Sequence, residues 1–274
     1  MTLLPPPSRR MNRVAWHAGA AQAGERVLAE ETPVALTYDG ATQAVMMATP
    51  TDLEDFAVGF SLTEGFIGAP SDISGVEIAP TPEGVDVRMW LRGDVGAAIV
   101  ARRRRLLGAS GCGMCGLESL AEANRAVPVV TAEPRFGPAS LAAALTLLPA
   151  GQILNRQTRA VHAASFWQPG HALLVREDVG RHNALDKLAG ALARGGRNAA
   201  GGILLLSSRI SVEMVQKAAM IGAPVIVAVS APTALAVRTA EAARITLVGV
   251  AREDGFEIFT HASRIDIEAQ NHVG

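Results

Sequence analysis

The chain has 274 residues, 49% of them hydrophobic and 4% aromatic, with a formal net charge of −1. That length and apolar content allow one large domain or two modest ones with a substantial core, whereas the neutral balance and the scarcity of rings exclude an obvious nucleic-acid surface. No apolar run approaches the ~20 residues needed to span a bilayer, and MTLLPPPSRRMNR lacks the apolar stretch of a secretory signal, so a cytoplasmic protein with no membrane or nucleic-acid partner is expected.

Residues 1–25 are rich in Pro, Arg, Ala and Gly without a clear period and read as a flexible arm, with order beginning near Val27. From Thr32 to Ala48 two β-rich runs flank Asp39-Gly40, a strong hairpin signal. Thr51 or Asp52 then caps a helix to about Glu64. Its first turn carries Asp52, Glu54 and Asp55, its apolar side Leu53, Phe56, Ala57, Phe60 and Leu62, and Gly65 and Gly68 end it. Val76–Ile78 and Val85–Leu91 read as short strands, which makes residues 26–138 a smaller α+β domain with antiparallel pairing. Pro128 to Pro138 holds three prolines and marks the seam that closes it.

Residues 139–274 read as a second, α/β layered domain. Ser140–Leu148 is a short apolar helix, and Gln152–Ala164 carries mixed residues toward a histidine. Apolar runs at 172–175, 203–206, 225–229 and 245–250 then alternate with helices near 183–194, 211–221 and 233–242, the pattern of βαβ units and a buried parallel sheet. Ser211 stands where it would cap a helix that Gly222 ends, and Pro232 falls where a first helical turn accepts it.

Both cysteines lie in Ser110-Gly111-Cys112-Gly113-Met114-Cys115-Gly116. The glycines leave the sulfurs bare of neighbouring side chains and permit backbone angles that other residues resist. The next segment, Leu117–Ala126, looks helical and places Cys115 near a helix N-terminus, where a thiolate is favoured; the run Arg102–Arg105 adds positive charge. So close a pair excludes a disulfide framework, and a CxxC in a reducing compartment is redox, metal-binding or catalytic more often than structural. Zinc would need two further ligands, and no HxxxH arrangement supplies them, so no metal is expected.

Polar loops follow several of the apolar runs. Arg176-Glu177-Asp178-Val179-Gly180-Arg181-His182-Asn183 is either a ligand loop at a strand's C-terminal end or a charged capping loop, and the residues alone leave both open. Thr158-Arg159-Ala160-Val161-His162 is a weaker cluster of the same kind. Ser207-Ser208-Arg209 and Ser230-Ala231-Pro232-Thr233 also open helices, where hydroxyls suit phosphates and plain capping equally.

With these pieces in place the chain resembles the formate dehydrogenase accessory sulfurtransferase family (FdhD) over nearly its whole ordered length. The resemblance is carried by EDFAVGFSLTEGF (54–66), GCGMCG (111–116), REDVGRHNALDKL (176–188), SSRISVEMVQKAAMIGAPV (207–225), SAPTALAV (230–237) and VAREDGFEIFTH (250–261). It implies a sulfurtransferase that accepts persulfide sulfur from a cysteine desulfurase on Cys112, with Cys115 assisting. The sulfur then passes to the molybdenum bis(pterin guanine dinucleotide) cofactor, bound as substrate, that a formate dehydrogenase needs.

The resemblance also implies a cytidine deaminase-like α/β/α sandwich in the second half, without the deaminase chemistry. Cys112 follows Gly rather than Pro, and His162 is followed by Ala-Ala rather than the zinc signature's x-Glu. The segment Val250, Ala251, Arg252, Glu253, Asp254 and Gly255 is expected to contact guanine dinucleotide, joined by His182, Ser207, Arg209, Ser230 and Thr233 at the sheet edge. Arg159-Ala160 stand where the family pattern would place two glycines. Two copies would suit a cofactor with two guanine ends, so a homodimer is expected. The alternative to sulfur transfer is a non-catalytic chaperone that binds and delivers the cofactor.

Overall fold

A computed structural model of the protein describes residues 3–93, 127–252 and 254–267. It opens with a hairpin, β1 (Ser8–His17) and β2 (Ala20–Ala29), paired antiparallel along its full length. Ala18 and Gly19 turn it with φ of 50° and 84°, the two left-handed residues that a tight hairpin turn requires. This corrects the expectation of an arm without secondary structure over residues 1–25. The reason the strands escaped notice is physical: almost every residue of the hairpin is exposed, so neither face carries the apolar alternation by which a strand is recognised.

β3 (Thr32–Tyr38) and β4 (Ala41–Ala48) pair antiparallel around Asp39 and Gly40, both at positive φ, as the Asp-Gly signal predicted. Helix α1 (Leu53–Thr63) follows, then β5 (Ile73–Pro80) and β6 (Val85–Leu91). The strand order is β4-β3-β6-β5, antiparallel at both outer pairs and parallel between β3 and β6. Val34, Leu36, Val87 and Met89 of the sheet meet Phe56, Ala57 and Phe60 of α1 in one core. Asp55, Gly59 and Thr63 are buried as well, because α1 is sandwiched between this sheet and the second half of the chain.

The second half contains α2 (Pro138–Gly151), α3 (Ile153–Thr158), β7 (His162–Trp167), β8 (Leu174–Asp178), α4 (Arg181–Arg194), β9 (Ile203–Leu206) and α5 (Val212–Met220). It ends with β10 (Val225–Ala228), α6 (Ala234–Ala243), β11 (Thr246–Arg252) and β12 (Gly255–Thr260). The sheet order is β12-β11-β10-β9-β7-β8. β9, β10 and β11 are parallel neighbours, while β7 and β12 run against theirs. The expected all-parallel sheet is thus a mixed one: β7, from a segment with no strand-like alternation, inserts between β8 and β9.

Alternation along the buried strands sorts the two faces. Leu204, Leu206, Ile226 and Leu247 pack under α4, α5 and α6. Ile203, Leu205, Val227 and Val248 pack under Leu141, Ala144 and Leu145 of α2. Helices therefore cover both faces of the sheet, which is why its strands read as unbroken apolar runs.

Charged groups tie the halves together. The buried Asp55 carboxylate of α1 accepts from Arg176 Nη2 at 2.7 Å and Arg194 Nη1 at 2.5 Å. Lys217 Nζ of α5 donates to Asp186 at 2.9 Å and reaches back to Glu64 at 2.8 Å and the Thr63 hydroxyl at 3.1 Å.

Candidate functional site

The parallel strands and β8 all point their C-terminal ends at one edge, and the start of the antiparallel β7 falls there too. The loops leaving that edge are bonded to one another. Ser207 N donates to Ala163 O at 3.0 Å, Thr233 N to Ile210 O at 3.0 Å and Val250 N to Ser230 O at 3.3 Å. Arg252 donates to Val229 O. Ser207, Ser230, Thr233 and Val250–Arg252 are therefore neighbours along one edge, as a ligand crevice at the ends of parallel strands requires.

Not all of these side chains are available for a ligand. The Thr233 hydroxyl accepts from Ala236 N at 3.2 Å and caps α6, with Pro232 lying just before the cap rather than in the first turn. The Ser207 hydroxyl accepts from Ala163 N at 2.8 Å, and the Ala251 side chain is in the core under α2. Arg209, Thr233, Val250, Arg252, Asp254 and Gly255 are exposed at the edge. Val250 is strained: a β-branched residue at φ 51°, in the irregularity where β11 slips against β12. Cys112, Cys115 and Glu253 lie outside the described residues.

The Asp178–Asn183 loop is resolved into two parts. Asp178 is wholly buried, 2.7 Å from the equally buried Lys187 Nζ, and accepts from Thr49 N (2.9 Å), Gly180 N (2.8 Å) and Asn183 Nδ2 (3.0 Å). Asn183 Nδ2 also donates to Met47 O at 2.8 Å. This part holds the loop to the end of β4 and is architectural, with Thr49 a contributor that no local pattern marks.

The other part is chemical. Helix α4 begins at Arg181, two residues earlier than its apolar pattern predicts, so His182 sits in the first turn. His182 is 4% exposed, and its Nε2 has no hydrogen-bond partner among the described residues. Burial, and then the positive charges of Arg181 and Lys217, push the imidazole down to about 4, against the pull of Glu213 and Glu64. It is neutral at physiological pH. His162, opposite Asp178 in the β7–β8 ladder, is also lowered, by burial and Arg181.

Facing α4, the first turn of α5 holds Ser211 at the N-cap and Glu213. Ser211 Oγ makes no capping bond, and Ser211 Oγ and Glu213 Oε2 are buried without partners among the described residues. No local pattern marks Glu213, and Ser211 has the pattern of an ordinary cap. Its signal was present but ambiguous, since only the geometry shows that the cap is not made.

Among the described residues there is no group of three or more His, Cys, Asp or Glu able to hold a metal ion, and no helix is long and apolar enough to cross a membrane. The FdhD/NarQ family model matches residues 29–266 of the chain. The chain is similar to the sulfur carrier protein FdhD of Agrobacterium fabrum, 52% identical over 259 residues that cover 94% of this chain and 96% of that one. It is 49% identical to the protein of the same name from Brucella abortus over 94% of this chain and 97% of the other. Its fold is similar to a crystal structure from Desulfotalea psychrophila, of a protein described by a formate dehydrogenase accessory role. The TM-score is 0.77 at 26% identity, covering 95% of this chain and 100% of that one.

Proposed function

The chain belongs to the FdhD/NarQ family, and from that premise we propose that it is a sulfurtransferase whose Cys112 carries sulfur as a persulfide, with Cys115 assisting. The observation that carries this reading is the near-complete likeness to proteins named as sulfur carriers in a chain whose two cysteines stand together in a glycine-rich CxxC. A carrier must offer an accessible thiolate, because exchange of sulfane sulfur depends on ionisation and access. The donor in this reading is a cysteine desulfurase and the acceptor the molybdenum bis(pterin guanine dinucleotide) cofactor, bound as substrate on its way to a formate dehydrogenase.

The chain's own residues do two things in this scheme. Thiolate of Cys112 attacks the desulfurase persulfide, the S–S bond there breaks, and the sulfane sulfur stays on Cys112 while the donor's thiolate leaves. The edge built from Ser207–Ser211, Val229–Thr233, Val250–Arg252 and Asp254–Gly255 supplies amides, hydroxyls and arginines for a substrate rich in phosphate and lactam groups. A mixed sheet layered by helices on both faces supports the cytidine deaminase-like reading of the second half, beyond a smaller α+β domain ending at residue 138. The same proposal places the protein in the cytoplasm as a homodimer.

The test is intact-protein mass after incubation with a cysteine desulfurase and cysteine. Wild type and Cys115→Ala should gain one reducible sulfur, about 32 Da on the mass of the element, and Cys112→Ala should gain none. If no variant gains sulfur while the cofactor still binds, the chain is a non-catalytic chaperone that holds and delivers it.

A further inference from the structure

A two-stranded hairpin standing alone in water is marginally stable, because it has no second layer on which to bury a face. The β1–β2 hairpin is in that position. Its own chain meets it where β2 lies against α3 and Arg26 Nη2 donates to Thr158 O at 3.5 Å, and most of the ladder is exposed. Val14 opposite Ala23 and Trp16 opposite Ala21 put four apolar side chains on one face of its outer end, with Trp16 72% exposed. An exposed tryptophan among arginines is the composition of a binding surface, since these two residue types dominate interface energies.

The same chain carries a second face with nothing on it among the described residues. The four-stranded sheet of β3–β6 gives one side to α1, and on the other Val45, Met47 and Trp90 stand exposed, Trp90 at 44%. The two elements are opposite in charge. Residues 8–29 hold Arg9, Arg10, Arg13 and Arg26 against Glu25, a net charge of +3, whereas residues 32–48 and 73–91 hold Asp39, Glu77, Glu83 and Asp86 against Arg88, a net charge of −3. The dimensions also agree. A ten-residue hairpin is about 34 Å long and roughly 10 Å broad. Two such contacts, each covering as much of the partner as of the hairpin, bury roughly 1,300 Å² in total, within the range of a specific interface.

We infer that two copies of this chain exchange hairpins: the Val14 and Trp16 face of each lies on the outer face of the four-stranded sheet of the other, across Val45, Met47 and Trp90. The arrangement is isologous, so one two-fold axis covers both open faces of both copies at once. An unrelated partner would have to match a basic apolar arm and an acidic apolar sheet separately, whereas a second copy brings the complement of each. The inference rests on the homodimer of the proposed reading and gives it its surfaces; it does not depend on the sulfur chemistry.

The test is sedimentation velocity of the full chain over a concentration series, for wild type, Trp16→Glu and Trp90→Glu. Wild type should sediment at twice the 28.5 kDa of one chain, and added salt should weaken the dimer, as opposite net charges require. Each variant should raise the dimer dissociation constant by at least about 100-fold, because the change removes a tryptophan from both contacts of the dimer. Both residues are exposed in the single chain, so far-ultraviolet circular dichroism should be unchanged. Mixed in equal amounts, the two variants should associate again, because the intact hairpin of Trp90→Glu still fits the intact sheet of Trp16→Glu. A monomeric wild type, variants that dimerise as wild type does, or a mixture that stays monomeric each overturns the inference. Sulfur loading of Cys112, measured on the same preparations, separates the remaining occupant: Trp16→Glu that stays dimeric yet no longer loads makes the hairpin a dock for the desulfurase and overturns the exchange. Absence of loading in wild type and both variants alike counts against the carrier reading and leaves the exchange of hairpins standing.

Discussion

Gly59 and Gly190 meet where α1 crosses α4, and neither has room for a side chain. A Cβ on Gly59 would stand 1.7 Å from Asp186 O and 2.6 Å from Gly190 N; one on Gly190 would stand 1.9 Å from Asp55 O. Gly190 lies inside a helix, where alanine would be favoured by about 1 kcal/mol on propensity alone. Its presence is explained by the backbone contact. Because the obstruction is main chain on both sides, it cannot be relieved by a rotamer change.

Gly59→Ala and Gly190→Ala should each destabilise the protein by about 3 kcal/mol or more, at the upper end of overpacking costs. Chemical denaturation checks this. A loss below about 1 kcal/mol would show that the helices separate at little cost and that the crossing does not set the arrangement of the halves.

Lys187→Met should cost about 3–5 kcal/mol, because it strands the buried Asp178 charge. Adding Asp178→Asn should recover part of the loss, since an amide needs no counter-charge and its single oxygen keeps the bonds from Gly180 N and Asn183 Nδ2, while the bond from Thr49 N, made to the other carboxylate oxygen, is lost. The double-mutant cycle measures the coupling, and strictly additive losses would mean that the two charges do not depend on each other.

Stability should depend on pH through His182. Its folded-state value, about 4, lies below the ordinary 6.5, so between these limits the unfolded chain binds the proton more readily. The associated stability is fully present above about pH 6.5 and is lost as pH falls toward 4, at most about 3 kcal/mol. Denaturation curves across this range should fall less steeply for His182→Gln than for wild type; parallel curves would show that His182 is not held neutral by the fold.

Arg159 ends α3 at φ 59° and ψ 28°, the left-handed region. This accounts for the expectation of glycine there, and Arg159→Gly should stabilise by about 0.5–1 kcal/mol. For a chain of this size the melting temperature should rise by roughly 1–4 °C. A fall would mean that the arginine side chain contributes more than its backbone loses.

The sequence by itself determined the elements whose signals are local. The Asp39-Gly40 turn fixed one hairpin, the periodicity of residues 53–63 fixed α1, and the unbroken apolar runs at β9, β10 and β11 announced strands covered on both faces. It also determined the family, because motifs such as GCGMCG and REDVGRHNALDKL are contiguous. Tertiary structure alone decided what depends on residues distant in the chain. β1 and β2 bury no face, and β7 finds its place only between β8 and β9, so neither left a pattern to read. Gly59 needed Gly190, Asp178 needed Lys187 and Thr49, and the significance of Ser211 and Glu213 lies in bonds they do not make. Burial and hydrogen-bond satisfaction are sums over neighbours in space, and the order of residues along a chain does not contain them until it folds.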